Sequence, residues 1–214
     1  MNILIAIGSC QEWEDTGCNQ AVRDTWVKDI PSCVVDGYSV RTMDYRFFHG
    51  QNAEPKADVV ILDVPDERIG IIQKTQGNHR WAYEHGYDFV FQCWSDTYVN
   101  VFALLASGFE NHDYFGLIHS APGAPKAQWG FLSGGEGWWA SRRACKALMD
   151  AEPSKSLKYN NGMADDLWVG DVMGAAGCRM AENKEYGRTI TRHGSALIQP
   201  YTAQWMRDTH AARR

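Results

Sequence analysis

A chain of 214 residues, 44% hydrophobic and 22% charged, has room for one domain with a substantial core, and no low-complexity tract or like-charge block marks disorder. The net charge of −5 argues mildly against tight binding of a polyanion, although residues from 179 onward carry seven Arg or Lys against three acids, an end that can approach phosphates or simply face solvent. Six dispersed cysteines without a CxxC pair indicate neither a zinc site nor a disulfide scaffold, and the short apolar start before Gly8 is neither a signal peptide nor a membrane span, so a cytoplasmic protein is expected.

Taken in order, "NILIAIG" (2–8) reads as a first buried strand closed by glycine, and "CNQAVRDTWVKDI" (18–30) as a helix that stops before Pro31. The runs "YRFFHG" (45–50) and "ADVVILDVP" (57–65) are β-rich, and the near-continuous apolar character of the second suits an inner strand covered on both faces. Residues 66–86 place Ile69, Ile72, Gln76, His79 and Tyr83 near one stripe, with Asp66 as the expected cap and Gly86 as the stop.

"YDFVFQCW" is the next strand, a helix follows from about Asn100 to Ser107, and "DYFGLIHS" (113–120) is a further strand before a Pro- and Gly-containing loop. Residues 130–151 read as strand, glycine turn, short strand and helix, and 163–178 as a further helix with two acids in its first turn. No repeat or linker interrupts this alternation. The expectation is a single α/β domain over 1–214, with a mostly parallel central sheet covered by helices and its ligand site beyond the carboxyl ends of the strands.

That rule gives meaning to "FQCWSDTYVN" (91–100), an apolar strand that delivers Ser95 and Asp96 at its tip. A carboxylate there faces a ligand, or it forms a turn. The segment "GYDFVFQCWSDTYVNVFALL" resembles that of the β-1,3-glycosyltransferase and Fringe-like family, where a strand ends in an acidic triplet, here Trp94, Ser95 and Asp96. "AVRDTW" (21–26), "DERIGIIQKT" (66–75), "SGGEGWWAS" (133–141), "ADDLWVG" (164–170) and "RHGSALIQPYTAQW" (192–205) are similar to further elements of that family, in its order.

The resemblance implies a single-domain GT-A fold, Rossmann-like, and an inverting transfer of a hexose from a UDP-sugar with the help of a divalent cation, Mn²⁺ or Mg²⁺. It implies Asp96 and His193 as metal ligands, Asp166 as the catalytic base with Asp165 as its supporting neighbour, and Ser95 and Asp96 on the donor side. Trp94 and Ser95 stand where the family has acids, so Asp96 alone remains to hold the metal directly from the triplet.

The residues themselves leave alternatives open. Asp165 and Asp166 fit a helix cap as well as a base, and His193 fits a surface position as well as a ligand. Arg23 and Lys74 are candidate donor-site cations that also suit a solvated helix face. Gly134 and Gly135 allow close approach of an acceptor sugar or simply turn the chain. Trp26, Trp81 and Trp168 are expected in the core, whereas Trp94, Trp129, Trp138 and Trp139 either stack on a sugar or base in the crevice or pack.

Two acceptors follow, a glycan hydroxyl or a hydroxymethylated pyrimidine in DNA of the kind modified by bacteriophage enzymes, which would place the protein in a host cytoplasm. The alternative is a sugar-nucleotide-binding protein that has lost catalysis, to which the reduced triplet points. A Rossmann dehydrogenase is disfavoured because "AIGSCQEW" lacks the GxGxxG spacing. Neither reading calls for a membrane segment or an obligate protein partner.

Overall fold

The computed structural model describes residues 1–31, 33–36, 39–119, 130–154, 157–194 and 203–213. Strands are β1 (Asn2–Gly8), β2 (Cys33–Asp36), β3 (Ser39–His49), β4 (Val59–Ile61), β5 (Phe89–Trp94), β6 (Thr97–Val99), β7 (Tyr114–Gly116), β8 (Trp138–Ser141), β9 (Met180–Glu182) and β10 (Thr191–His193). Helices are α1 (Gln11–Asp15), α2 (Cys18–Asp24), α3 (Ile71–Glu84), α4 (Val101–Leu105), α5 (Arg142–Asp150), α6 (Asp165–Ala175) and α7 (Ala203–Ala211).

The central sheet runs β2-β3-β1-β5-β8-β7-β9, with β4 beside the end of β3. β4, β3, β1 and β5 are mutually parallel, as are β7 and β9; β8 is inserted antiparallel between β5 and β7. The α/β class and the mostly parallel sheet read from the sequence are both present. β1 shows why its sequence is apolar without interruption: Ile3, Ile5 and Ile7 join one core cluster, Leu4 and Ala6 the other. The first cluster is closed by α2, α4 and α7 through Ala21, Val22, Leu104 and Met206, the second by α3, α5 and α6 through Ile72, Ala144, Leu148, Val169 and Met173. Burial on both faces of a strand demands apolar side chains at every position.

Three expectations change. The 57–65 run forms only the three residues of β4, at the sheet's edge rather than inside it, and Ile61 is exposed. The 66–86 helix begins later, at Ile71 after a 3₁₀ turn over Arg68–Gly70, because Asp66 is not its cap. Its carboxylate instead accepts from the amides of Gln11 (2.7 Å) and Gly50 (2.6 Å) and pairs with Lys74 at 3.0 Å, tying three segments together. The 18–30 helix breaks at Thr25 into α2 and a 3₁₀ turn over Trp26–Asp29.

Arg23 explains how α2 is held. Its guanidinium binds Glu14 (2.7 and 3.1 Å) and Asp58 (2.7 and 3.2 Å) and lies 4.4 Å over the Phe47 ring. Burial acts to raise the Glu14 carboxyl, but Arg23, Lys56 and Asn19 outweigh it and hold the pKa at about 2, below the ordinary 4.5. A depressed carboxyl contributes stability above its unfolded value and loses it as pH falls through the folded one. Glu14→Gln should therefore cost on the order of 1–2 kcal/mol at neutral pH, after allowance for solvent screening of the Lys56 arm. In urea titrations that deficit should shrink as pH drops from 4.5 toward 2; a deficit independent of pH would contradict the assignment.

Candidate functional site

Beyond the carboxyl ends of β1 and β5 lies a cleft of about 760 Å³. Its lining combines segments far apart in sequence: Ser9, Cys10 and Trp13 after β1, Asp66, Arg68 and Lys74 before and within α3, Trp94 and Asp96 at the tip of β5, Gly134 and Gly135, Asp165 and Asp166 at the start of α6, and His193. β1 and β5 end together because they are parallel neighbours, Gly8 opposite Trp94. Gly8 has no side chain because the Trp94 indole occupies its place; a Cβ there would lie 2.4 Å from ring atoms.

Asp96 sits in the turn between β5 and β6. The helix that follows is capped not by Asp96 but by Asn100, whose side chain accepts from the Ala103 amide. The carboxylate is thus left for His193, whose Nε2 lies 3.0 Å from its Oδ2. Pairing of β6 with β10 sets Thr97 opposite His193, and the Gly194 amide donates to the Asp96 carbonyl at 2.8 Å. On its other side the imidazole rests against Gly135, where a Cβ would meet Nδ1 at 2.5 Å. Burial acts against a charged imidazole here, but the Asp96 carboxylate outweighs it and holds the His193 pKa above its ordinary value.

The Asp96–His193 pair fits a cation on two counts. Oδ1 of Asp96 is buried and has no hydrogen-bond partner among the described residues. The 3.0 Å between Oδ2 and Nε2 is also the spacing of two adjacent ligands about 2.1 Å from one ion. Among the described residues no three His, Cys, Asp or Glu side chains gather as ligands. A hard cation held there would take its other ligands from water and phosphate oxygens, as Mg²⁺ commonly does.

The start of α6 adds adjacent acids to the lining, beside Gly134 as His193 is beside Gly135. Asp165 is buried, and its Oδ2 accepts from the Thr75 hydroxyl at 2.9 Å; Asp166 is half-buried, with Oδ1 accepting from the Leu167 amide at 2.9 Å. Burial raises both carboxyls above the ordinary range, Asp165 further because of the charge on Asp166, while His119 and Arg68 temper the rise at Asp166. Like charges in contact in a poorly solvated place do not ionise independently.

Several expected site residues lie elsewhere or are already engaged. Arg23 is outside the cleft, spent on Glu14 and Asp58. Lys74 lines the cleft, yet its ammonium is nearly buried and donates to the Ser9 carbonyl (2.6 Å), the Asp66 carbonyl (2.9 Å) and the Asp66 carboxylate (3.0 Å), which uses its three protons. Ser95 is buried and bonds Gly8 through its amide and hydroxyl, fastening β5 to β1.

Trp138 and Trp139 point to opposite faces of β8 and are wholly buried. Trp138 stacks on His79 (4.9 Å) and Trp139 on Phe109 (3.7 Å), so neither meets an acceptor. Gly134 and Gly135 do line the cleft, but Gly135 admits the His193 ring and Gly134 faces Asp166. Trp129 lies outside the described residues, as does the 195–202 part of the "RHGSALIQPYTAQW" stretch. Trp13, Arg68 and Asp66 were not singled out as site residues from sequence; their position directly after the first strand and before α3 was the available signal.

No protein-family model matches the chain. Among solved structures, the galactosyltransferase LgtC in complex with donor and acceptor sugar analogs is similar over 95% of this chain and 83% of that one, at 12% identity and a TM-score of 0.46. An active-site mutant of LgtC is similar over the same shares at 10% identity and 0.45.

Gly135→Ala tests the geometry of the pair. The added methyl should drive His193 off Asp96 at a stability cost of about 1–3 kcal/mol, and, if the pair holds a cation, weaken Mn²⁺ binding about tenfold or more, read by the free-ion EPR signal. Unchanged Mn²⁺ affinity in a folded variant would exclude His193 as a ligand.

Proposed function

We propose that the protein is a glycosyltransferase of GT-A type that moves a hexose from a UDP-sugar to an acceptor hydroxyl with inversion. The carrying observation is that Asp96, His193, Asp165 and Asp166, named by motif resemblance over a span of about 100 residues, line one cleft at the strand tips. A cation held by Asp96 and His193 would offset the negative charge that develops on the departing diphosphate.

The chain's own residues do the rest. Asp166, half-open to the cleft, takes the proton from the acceptor hydroxyl as its oxygen attacks the anomeric carbon. Asp165 stays behind it. Trp13 and Trp94 offer apolar faces for a base or sugar ring and keep water from that wall. Arg68, exposed at the rim and near enough to temper Asp166, is a cation for an acceptor or a phosphate in place of Lys74.

Acids at the rim, Glu12 and Glu67 beside Asp66, favour a neutral glycan acceptor over the phosphate backbone of DNA. A second reading, a sugar-nucleotide-binding protein without turnover, draws on the reduced acidic triplet and on the lack of a three-ligand cluster among the described residues. UDP release measured over a panel of UDP-sugars and acceptors, with Mn²⁺ and with chelator, separates them. Transfer to saccharides and none to hydroxymethylated DNA is expected, with an acid limb above the ordinary carboxylate value of about 3.9 because the pair's carboxyls are raised. Asp166→Asn should lower kcat by about 10³ or more and leave donor affinity within about threefold. Donor binding by the wild type with neither transfer nor donor hydrolysis would favour the binding protein.

A further inference from the structure

Two adjacent carboxylates at one helix start are chemically equivalent unless something distinguishes them. Here burial separates them, and a second distinction lies on another helix. Thr75, in α3 and fully buried, donates its hydroxyl at 2.9 Å to Oδ2 of Asp165, ninety positions along the chain. A helical Thr ordinarily turns its hydroxyl to a carbonyl one turn back. The Thr75 hydroxyl reaches across to α6 instead, while its own carbonyl lies 2.8 Å from Nδ1 of His79, a buried ring stacked on Trp138. The backbone that carries the hydroxyl is therefore itself fixed from behind by the core.

We infer that Thr75 is a positioning residue: its hydroxyl draws Asp165 toward α3 and leaves Asp166 as the carboxylate that meets the acceptor. This rests on the reading of Asp166 as the base. The pair also lies against Gly134, where a Cβ would lie 3.5 Å from the Asp166 Cβ and 3.9 Å from Oδ1 of Asp165. Asp165 thus has one oxygen on the Thr75 hydroxyl and the other beside bare backbone, and turning it away from α3 would break its bond to Thr75. The charged and titratable groups that bear on the pair are Arg68 from the turn before α3, His119 beyond β7 and Tyr114 on β7. Asp165 is set apart from Asp166 by its deeper burial and by the Thr75 hydroxyl, while Asp166 takes the Leu167 amide.

The test compares Thr75→Val, Thr75→Ala and Thr75→Ser by two readouts. The first is the titration of the Asp165 and Asp166 carboxyl carbons by ¹³C NMR in the metal-free protein, which needs no substrate. Loss of a donor to the charged form should move the pair's upper step up by about half a pH unit or more in the Val and Ala variants, and Ser should restore it. The second is transfer: kcat should fall about tenfold in Val and Ala with donor KM within about twofold, and Ser should recover most of it.

Ala covers the case in which Val does not fold. An unmoved titration in either folded variant overturns the inference, and so does a moved titration with unchanged kcat. Failure of the wild type to turn over any donor would end the transferase reading, and with it the catalytic part of the role, while the titration still decides whether Thr75 governs the carboxyl pair.

Discussion

Three residue pairs of antiparallel strand hold the site together: Thr191 against Val99, Arg192 against Tyr98 and His193 against Thr97. Without this short ladder, Asp96 would be an isolated carboxylate in a turn. The ladder is anchored at several points: the Asn100 amide donates to the Ile190 carbonyl (2.8 Å), Thr191 to Glu136 (3.1 Å) and Thr97 to the Gly135 carbonyl (2.8 Å). The same few residues therefore fix β6, β10 and the 134–137 turn at once. From the other side α7 packs on α2 and meets β6 through Tyr98, whose hydroxyl lies 3.2 Å from His210. A main-chain ladder supported on both sides sets an imidazole more accurately than a free loop would.

The sheet supplies the complementary constraint. Parallel strands bring their carboxyl ends to one edge, so β1 and β5 terminate side by side and the chain leaving each must turn over the cleft. Asp66 closes that edge by accepting from Gln11 and Gly50 and pairing with Lys74, joining the exit of β1, the exit of β3 and α3. α3 then serves both walls through consecutive residues. Lys74 holds the strand tips and Thr75 holds Asp165. α3 directly precedes β5 in sequence, yet through Thr75 it reaches Asp165 on α6, ninety positions further on.

The sequence made the sheet legible where burial is two-sided: "NILIAIG" and "FVFQCW" admit no alternation, and that pattern has one physical cause. Asp96, His193 and the acids of α6 were legible only through the order of motifs, since none is distinctive alone. What engages Arg23 and Lys74 was not legible from the local sequence: Asp58 is 35 residues from Arg23, and the Ser9 carbonyl that accepts from Lys74 is 65 from it. Trp138 and Trp139 had a readable signal. Consecutive residues on a strand point to opposite faces, and a strand inside a helix-covered sheet sends both to core. The role of Gly135 was hidden because the ring that fills its space comes from 58 residues on, in a strand of three.

The proposed transfer requires a cation shared by Asp96 and His193 that would carry the diphosphate of the donor. Calorimetric titration of UDP into the wild-type protein and Asp96→Asn, each with Mn²⁺ and with chelator, addresses it directly. Binding in the range of about 1–100 μM that requires both Mn²⁺ and the Asp96 carboxylate is predicted. UDP binding of equal strength in chelator, or undiminished in Asp96→Asn, would contradict it.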